Sequence, residues 1–288
     1  MINANVKNLI LNLWFALSFI FLPVFLKCQD TVSFQNIEDT TLHSYIMLNT
    51  SFTNNNIDYR LGVSEKMPSL FNNINYFHKS GLYTGVSLSN YFHDSLQSAD
   101  YDIVLGYQKY FDNGFDFDIN YTWHNFSGSS IMQVIDYNHA FDLMTSYEIR
   151  NNYFTTDFSM LAGQQGINYF LDFDIIHFIT FYKVLNENDV LMINPSISLS
   201  FGTDNWVYSD LSSDEQTNVF KSLESMGYSY QNFSYQSINI FVPVSYGIGN
   251  FYLSLSGLYR FMGGKFKTLG MASGFGMMAS VTYFINFK

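Results

Sequence analysis

The sequence predicts an all-β chain, a transmembrane antiparallel up-and-down β-barrel of about 12 strands, with one short helix in a long extracellular loop. Three observations predict it. Aromatic residues make up 19% of the 288 residues, with 30 Phe and 22 Tyr. Charged residues are only 13%, about half of the roughly 25% usual in soluble domains. Mean hydropathy is nevertheless +0.02, so the apolar residues must be interleaved with polar ones. A helical membrane protein would instead show several uninterrupted apolar runs of about 20 residues.

One such run exists, Leu9 to Leu26, behind a start whose only charged side chain is Lys7. It reads as a secretory signal over residues 1–28, leaving 29–288 as the barrel. A retained anchor is the competing reading, since Asn12 and Pro23 interrupt the run, but an anchor would not explain the alternation that follows. The single Cys, Cys28, allows no disulfide. Lys27 directly before it argues against lipidation. The first 28 residues hold two basic side chains and no acid, so the remainder is more acidic than the net −11 of the whole chain. That balance argues against nucleic acid as a partner.

From residue 42 onward, segments of about 10 to 13 residues alternate apolar with polar or small side chains, which places one set on each face of a strand. Expected strands are 43–53, 70–79, 82–92, 100–111, 115–126, 138–149, 153–162, 168–181, 190–202, 234–246, 251–262 and 276–287. The clearest carries Ile238, Ile240, Val242, Val244 and Tyr246 on one face. Ser237, Asn239, Pro243 and Ser245 fall on the other. The polar faces hold Ser, Asn, Thr and Asp rather than Lys and Glu, which fits an interior lumen with lipid outside.

Connections are expected to sort by turns. Those at 54–69, 93–99, 127–137, 163–167, 203–233 and 263–275 are mostly long and loop-like, and those between them are tight, such as Ser80-Gly81 and Asp112-Asn113-Gly114. This is the arrangement of a barrel with extracellular loops and periplasmic turns. Residues 57–66 could extend the first strand. In the loop 203–233, Ser212 followed by Glu215 matches a capping box, Val219, Phe220, Leu223 and Met226 follow at helical spacing, and Gly227 supplies a stop. A helix over about 213–226 is therefore expected, its apolar stripe folding over or into the mouth. Aromatics at strand ends (Phe52, Phe92, Tyr101, Phe111, Tyr169, Phe201, Phe251, Phe261) form interfacial girdles. The final strand, with Val281, Tyr283, Ile285 and Phe287 on one face, is the expected signal for the barrel-assembly machinery.

The stretches Tyr76-Phe77-His78-Lys79-Ser80-Gly81-Leu82-Tyr83 and Pro243-Val244-Ser245-Tyr246-Gly247-Ile248-Gly249-Asn250-Phe251, with the Asn- and Tyr-rich composition, resemble uncharacterised outer-membrane β-barrels of Bacteroidetes-type bacteria. The resemblance covers most of the chain as a pattern. It implies the outer membrane of a Gram-negative bacterium and supplies no catalytic residue.

Parity assigns to the lumen the acidic Asp102, Asp116, Asp118, Asp142, Glu148, Asp157, Asp172 and Asp174 and the basic Lys79, Arg150 and Arg260. Carboxylates lining a narrow low-dielectric passage favour cations. The alternative is that they pair with Arg260 and polar neighbours to pack a closed lumen. Enzyme constellations are faint. His93-Asp94-Ser95 only echoes a lipase set. His124, His139 and Asp136 lie near the rim without a fixed geometry. His177 falls on the lipid face, marking a bulge or an interface. No phosphate loop and no metal-ligand spacing occurs, and no cofactor is expected. The leading expectation is a passive porin-like channel for small cationic or neutral polar solutes, with outer-membrane lipid as its surroundings. A structural or surface-interaction barrel whose loops bind a partner comes second, and a lipid-active outer-membrane hydrolase third.

Overall fold

In the computed structural model the structure describes residues 43–55, 68–93, 96–125, 137–163, 166–208 and 211–287. The expected signal over 1–28, the segment 57–66, and Asp94, Ser95 and Asp136 lie outside the described residues.

Strict alternation produces the strands. In chain order they are β1 (Tyr45–Thr53), β2 (Ser69–Phe77), β3 (Leu82–His93), β4 (Leu96–Tyr110), β5 (Phe115–Asn125), β6 (Tyr137–Ile149) and β7 (Asn152–Gly163). There follow β8 (Gly166–His177), β9 (Ile179–Tyr182), β10 (Asp189–Ile193), β11 (Ser196–Gly202), β12 (Ser234–Ile248), β13 (Phe251–Met262) and β14 (Gly274–Asn286). All pairings are antiparallel, each span on its sequence neighbours, and β1 pairs β14 from Tyr45↔Asn286 to Thr53↔Met278. The sheet therefore has no free edge and is a closed 12-stranded barrel.

Fourteen segments make twelve spans because two spans are broken at one level. Asn194-Pro195 separates β10 from β11, and Phe178 separates β8 from β9. Proline has no N–H to give the ladder. Pro195 only accepts, from His177 N–H at 2.9 Å, and the Phe178 N–H turns to Asn151 O at 2.8 Å. The irregularity expected at His177 is this break, with His177 Nδ1 2.9 Å from Asn152 Oδ1.

The faces divide as the alternation requires. Ile74, Val86, Leu105, Leu253, Leu255 and Val281 point outward and are exposed, Leu253 by 54%. Inward positions include Ser51, Ser89, Asp116, Ser146, Ser159, Ser200 and Asn239, all buried. Apolar outside and polar inside is the reverse of a soluble barrel and suits hydrocarbon surroundings. Of the expected girdle, Phe52, Phe92, Phe111, Tyr169, Phe251 and Phe261 are exposed at or near strand ends, Tyr101 is exposed well inside β4, and Phe201 is half-buried.

Two expected long connections are tight. His93 pairs Leu96, and Gly163 pairs Gly166, so the strands run two residues from the tip. Gly166 takes φ +112°, which a side chain would resist. Long and short connections are thus sorted less strictly than the sequence suggested. At the loop end the β11–β12 connection holds α1 (Asn205–Tyr208) and α2 (Ser213–Ser225), and the β13–β14 connection holds α3 (Gly264–Thr268). Only α2 was expected, and its capping box is formed: Ser212 Oγ accepts from Glu215 N–H, and Glu215 Oε2 accepts from Ser212 N–H at 2.9 Å.

Candidate functional site

The lumen is built by register. Cross-strand pairing aligns Asp157, Asp172, Ser200 and Ser237 in one row, and Asp174, Ser198, Asn239 and Arg260 in the next. These side chains, with Gln236, Met262 and Phe266, line a cavity of about 210 Å³. Arg260 Nε donates to Asn239 Oδ1 at 2.6 Å, and Asn239 Nδ2 donates to Ser200 Oγ at 3.0 Å. Three carboxylates on β7 and β8 thus share a chamber with one guanidinium on β13. Asp157 and Asp172 stand directly opposite each other on neighbouring strands, a like-charge pair that is costly without a nearby cation.

Of the remaining expected acids, Asp118, Asp142 and Glu148 face the same interior but are tied to hydroxyls and amides. Tyr83 Oη donates to Asp118 Oδ1 at 2.7 Å, and Asn120 Nδ2 reaches the same oxygen at 3.2 Å. Ser159 Oγ donates to Asp142 at 2.5 Å, and Tyr153 Oη to Glu148 at 3.3 Å. Asp116 is buried. Asp100, which sequence reasoning passed over, is buried too; it shares the parity of Asp102, the signal that could have found it.

Two basic residues assigned to the lumen are elsewhere. Lys79 lies in the exposed turn between β2 and β3, its N–H donating to Ser44 Oγ at 3.1 Å. Arg150 lies in the exposed turn between β6 and β7 with φ +57°. Strand parity does not extend into a turn, where the backbone leaves the pleat. Among the expected basic residues, Arg260 alone lines the cavity.

The expected rim histidines separate. His124 Nδ1 is 2.7 Å from Asp102 Oδ1 on the lumen side. His139 faces outward, its ring stacked on Tyr121 and its Nδ1 2.7 Å from Tyr121 Oη. Ser87 pairs Asp102 from the strand opposite to that of His124. The row therefore runs hydroxyl, carboxylate, imidazole, whereas a nucleophilic relay needs the imidazole in the middle.

The mouth combines the expected helix with residues that the sequence did not single out. On α2, Leu223 is fully buried, and Val219 and Phe220 are half-buried. Met226, expected in the same stripe, is the helix C-cap and 56% exposed, because the chain leaves the helical path there. Phe220 stacks on Tyr230 at 4.0 Å between ring centres and meets Tyr208 of α1 edge-on at 4.9 Å. Beneath, Lys265 Nζ is 2.8 Å from Asp204 Oδ2, and Tyr208 Oη donates to that same oxygen. Burial, then the bond to Asp204, holds the Tyr208 phenol above its ordinary pKa. Phe266 of α3 is fully buried with Met262 and Met271, against Val207, Leu258 and Leu269. Since Phe266 also lines the lumen cavity, α3 contributes a side chain to the lumen wall.

Among the described residues no cluster of His, Cys, Asp or Glu is arranged to hold a metal ion. No family model and no curated protein matches the sequence. Solved structures similar in fold include a KdgM porin, at 10% identity and TM-score 0.48, covering 83% of this chain and 98% of that one. LpxR from Salmonella typhimurium is similar at 10% identity and TM-score 0.49, covering 83% and 100%. A NanC porin is similar at 7% identity and TM-score 0.44, covering 83% and 98%. Likeness at this level bears on the shape of the chain and not on its chemistry.

Proposed function

We propose that this chain is an outer-membrane channel that passes small cationic or neutral polar solutes by diffusion. The observation that carries the reading is the lumen cavity, in which Asp157, Asp172 and Asp174 face Arg260 among Ser198, Ser200, Ser237 and Asn239. Carboxylates in excess over cations, inside a wall of low dielectric, raise the local cation concentration and repel anions. The outward apolar face and closed sheet support residence in a bilayer.

A second reading, a structural barrel whose loops bind a partner, draws on the bonds from Tyr83 to Asp118 and Ser159 to Asp142, which pack part of the lumen. Single-channel recording of the refolded protein, with reversal potentials in a salt gradient, separates the two. Stepwise, cation-selective currents are expected. A folded barrel that stays silent, even with residues 264–270 replaced by a short Gly-Ser linker, would overturn the channel.

A further inference from the structure

The connection 263–273 does something that a surface loop does not do. Between Met262 and Gly274 it dips into the barrel, burying Phe266 completely against the lumen-facing Met262 and Leu258. Phe266 and Met262 are the apolar part of a cavity otherwise lined by carboxylate, hydroxyl, amide and guanidinium groups. An aromatic ring from the connection between β13 and β14 therefore forms part of the wall of the polar chamber.

What holds the ring there is a poor device for stability alone. Lys265 and Asp204 form an ion pair at 2.8 Å with side chains only 6% and 0% exposed. Desolvating two charges offsets most of their attraction, so apolar side chains would hold the same contact at least as firmly. The pair is also incompletely satisfied: Asp204 Oδ1 has no hydrogen-bond partner among the described residues. Its merit is specificity, since it joins α3 to one place on the long connection and nowhere else. Tyr208 braces the carboxylate, and Phe220 of α2 packs on the Tyr208 ring. A continuous line of contacts thus runs from the outermost helix to the ring inside the barrel.

The helix itself has little local support. It is only five residues long, and its N-cap, Gly263, offers no side-chain cap. Gly263 and Gly264 precede it at close-packed positions, where a Cβ would meet Gln236 O at 3.0 Å and Tyr228 Oη at 2.4 Å, and Gly270 follows with φ +87° and open space around its Cα. A position such as Gly270 can absorb the backbone rotation of a hinge.

We propose that α3 is a latched gate, in which Phe266 is the stop that closes the lumen chamber and the buried Lys265–Asp204 pair, braced by Tyr208, is the latch. The inference rests on the channel reading and supplies its regulation. Breaking one side of the latch leaves an uncompensated buried charge and drives the segment outward. Replacing both sides by apolar residues removes both charges and lets the segment return.

The test uses the refolded full chain in planar bilayers. Lys265→Met and Asp204→Asn are each expected to raise the open fraction at least tenfold over the unsubstituted protein. The double variant Lys265→Met/Asp204→Leu is expected to bring it back. Phe266→Ala is expected to raise the unit conductance with the latch intact. A second readout does not need conduction. With Cys28 replaced by Ser, the variant Phe266→Cys is treated with a water-soluble maleimide, alone and combined with Lys265→Met, and the latch-broken form is expected to label at least tenfold faster. Conducting channels unchanged by both single substitutions, or equal labelling rates, would overturn the gate. Faster labelling in a barrel that never conducts would leave the moving segment established and overturn the channel reading instead.

Discussion

Gly106 shows how a single missing Cβ organises the lumen wall. It faces inward opposite Tyr83, and a Cβ built on it would lie 2.2 Å from the Tyr83 ring. The ring lies flat across β4 for that reason, and its hydroxyl reaches Asp118 two strands away, at 2.7 Å. An aromatic ring covering a glycine on the neighbouring strand protects the backbone and pins the register. Gly106→Val forces the ring off and removes the bond to Asp118. The expected loss is about 1–3 kcal/mol, read as a lower urea midpoint for refolding in lipid vesicles. Tyr83→Phe keeps the ring over Gly106 and is expected to cost about 1 kcal/mol. Equal effects of the two substitutions would show that the space over Gly106 does not matter.

At the scale of elements, α2 is the piece most directly written in the chain. Ser212 and Glu215 form the reciprocal bonds that their spacing promises. The Ser212 hydroxyl, then the Ser212 N–H, holds the Glu215 carboxyl below its ordinary value against a small opposing effect of burial. A carboxyl whose folded pKa lies below the unfolded one, about 4.3, stabilises the helix above that value. The contribution is lost as pH falls through the folded value. Helical chemical shifts of residues 213–216 are therefore expected to weaken on acidification below about pH 4, and Ser212→Ala to remove most of that dependence. A pH profile unaltered by Ser212→Ala would contradict the assignment.

The other helices were not legible because nothing local specifies them. Asn205–Tyr208 is a single turn, and Gly264–Thr268 has a glycine cap and two lysines. What makes Lys265 an interior residue is Asp204, which belongs to a different connection. Strand spans, by contrast, are local patterns repeated along the chain, and the parity that sorts Asp157, Asp172, Asp174 and Arg260 inward can be counted from the sequence. The counting fails where the pleat ends, as at Lys79 and Arg150, or where Pro195 interrupts the ladder.

On the proposed channel reading, the decisive quantity for the whole molecule is the balance of charge in the chamber. Arg260→Ala removes the cavity's positive side chain, so cation preference is expected to rise by about twofold to fivefold in permeability ratio, on the order of 1 kcal/mol. Asp172→Asn with Asp174→Asn is expected to lower it by a similar factor. Reversal potentials in a tenfold salt gradient read both, and shifts of the same sign in the two variants would exclude this chamber as the selectivity element.

Closure of the sheet by β1 against β14 also fixes when the structure can exist at all. Tyr45 waits for Asn286, and Thr53 for Met278, so the seam joins the first described strand to the last. Until β14 is in place, β1 and β13 are both open edges, each a row of unpaired N–H and C=O groups that hydrocarbon cannot satisfy. A partly synthesised chain is therefore not a smaller barrel but a sheet with two adhesive margins. Those margins are satisfied together, and only when the last strand meets the first.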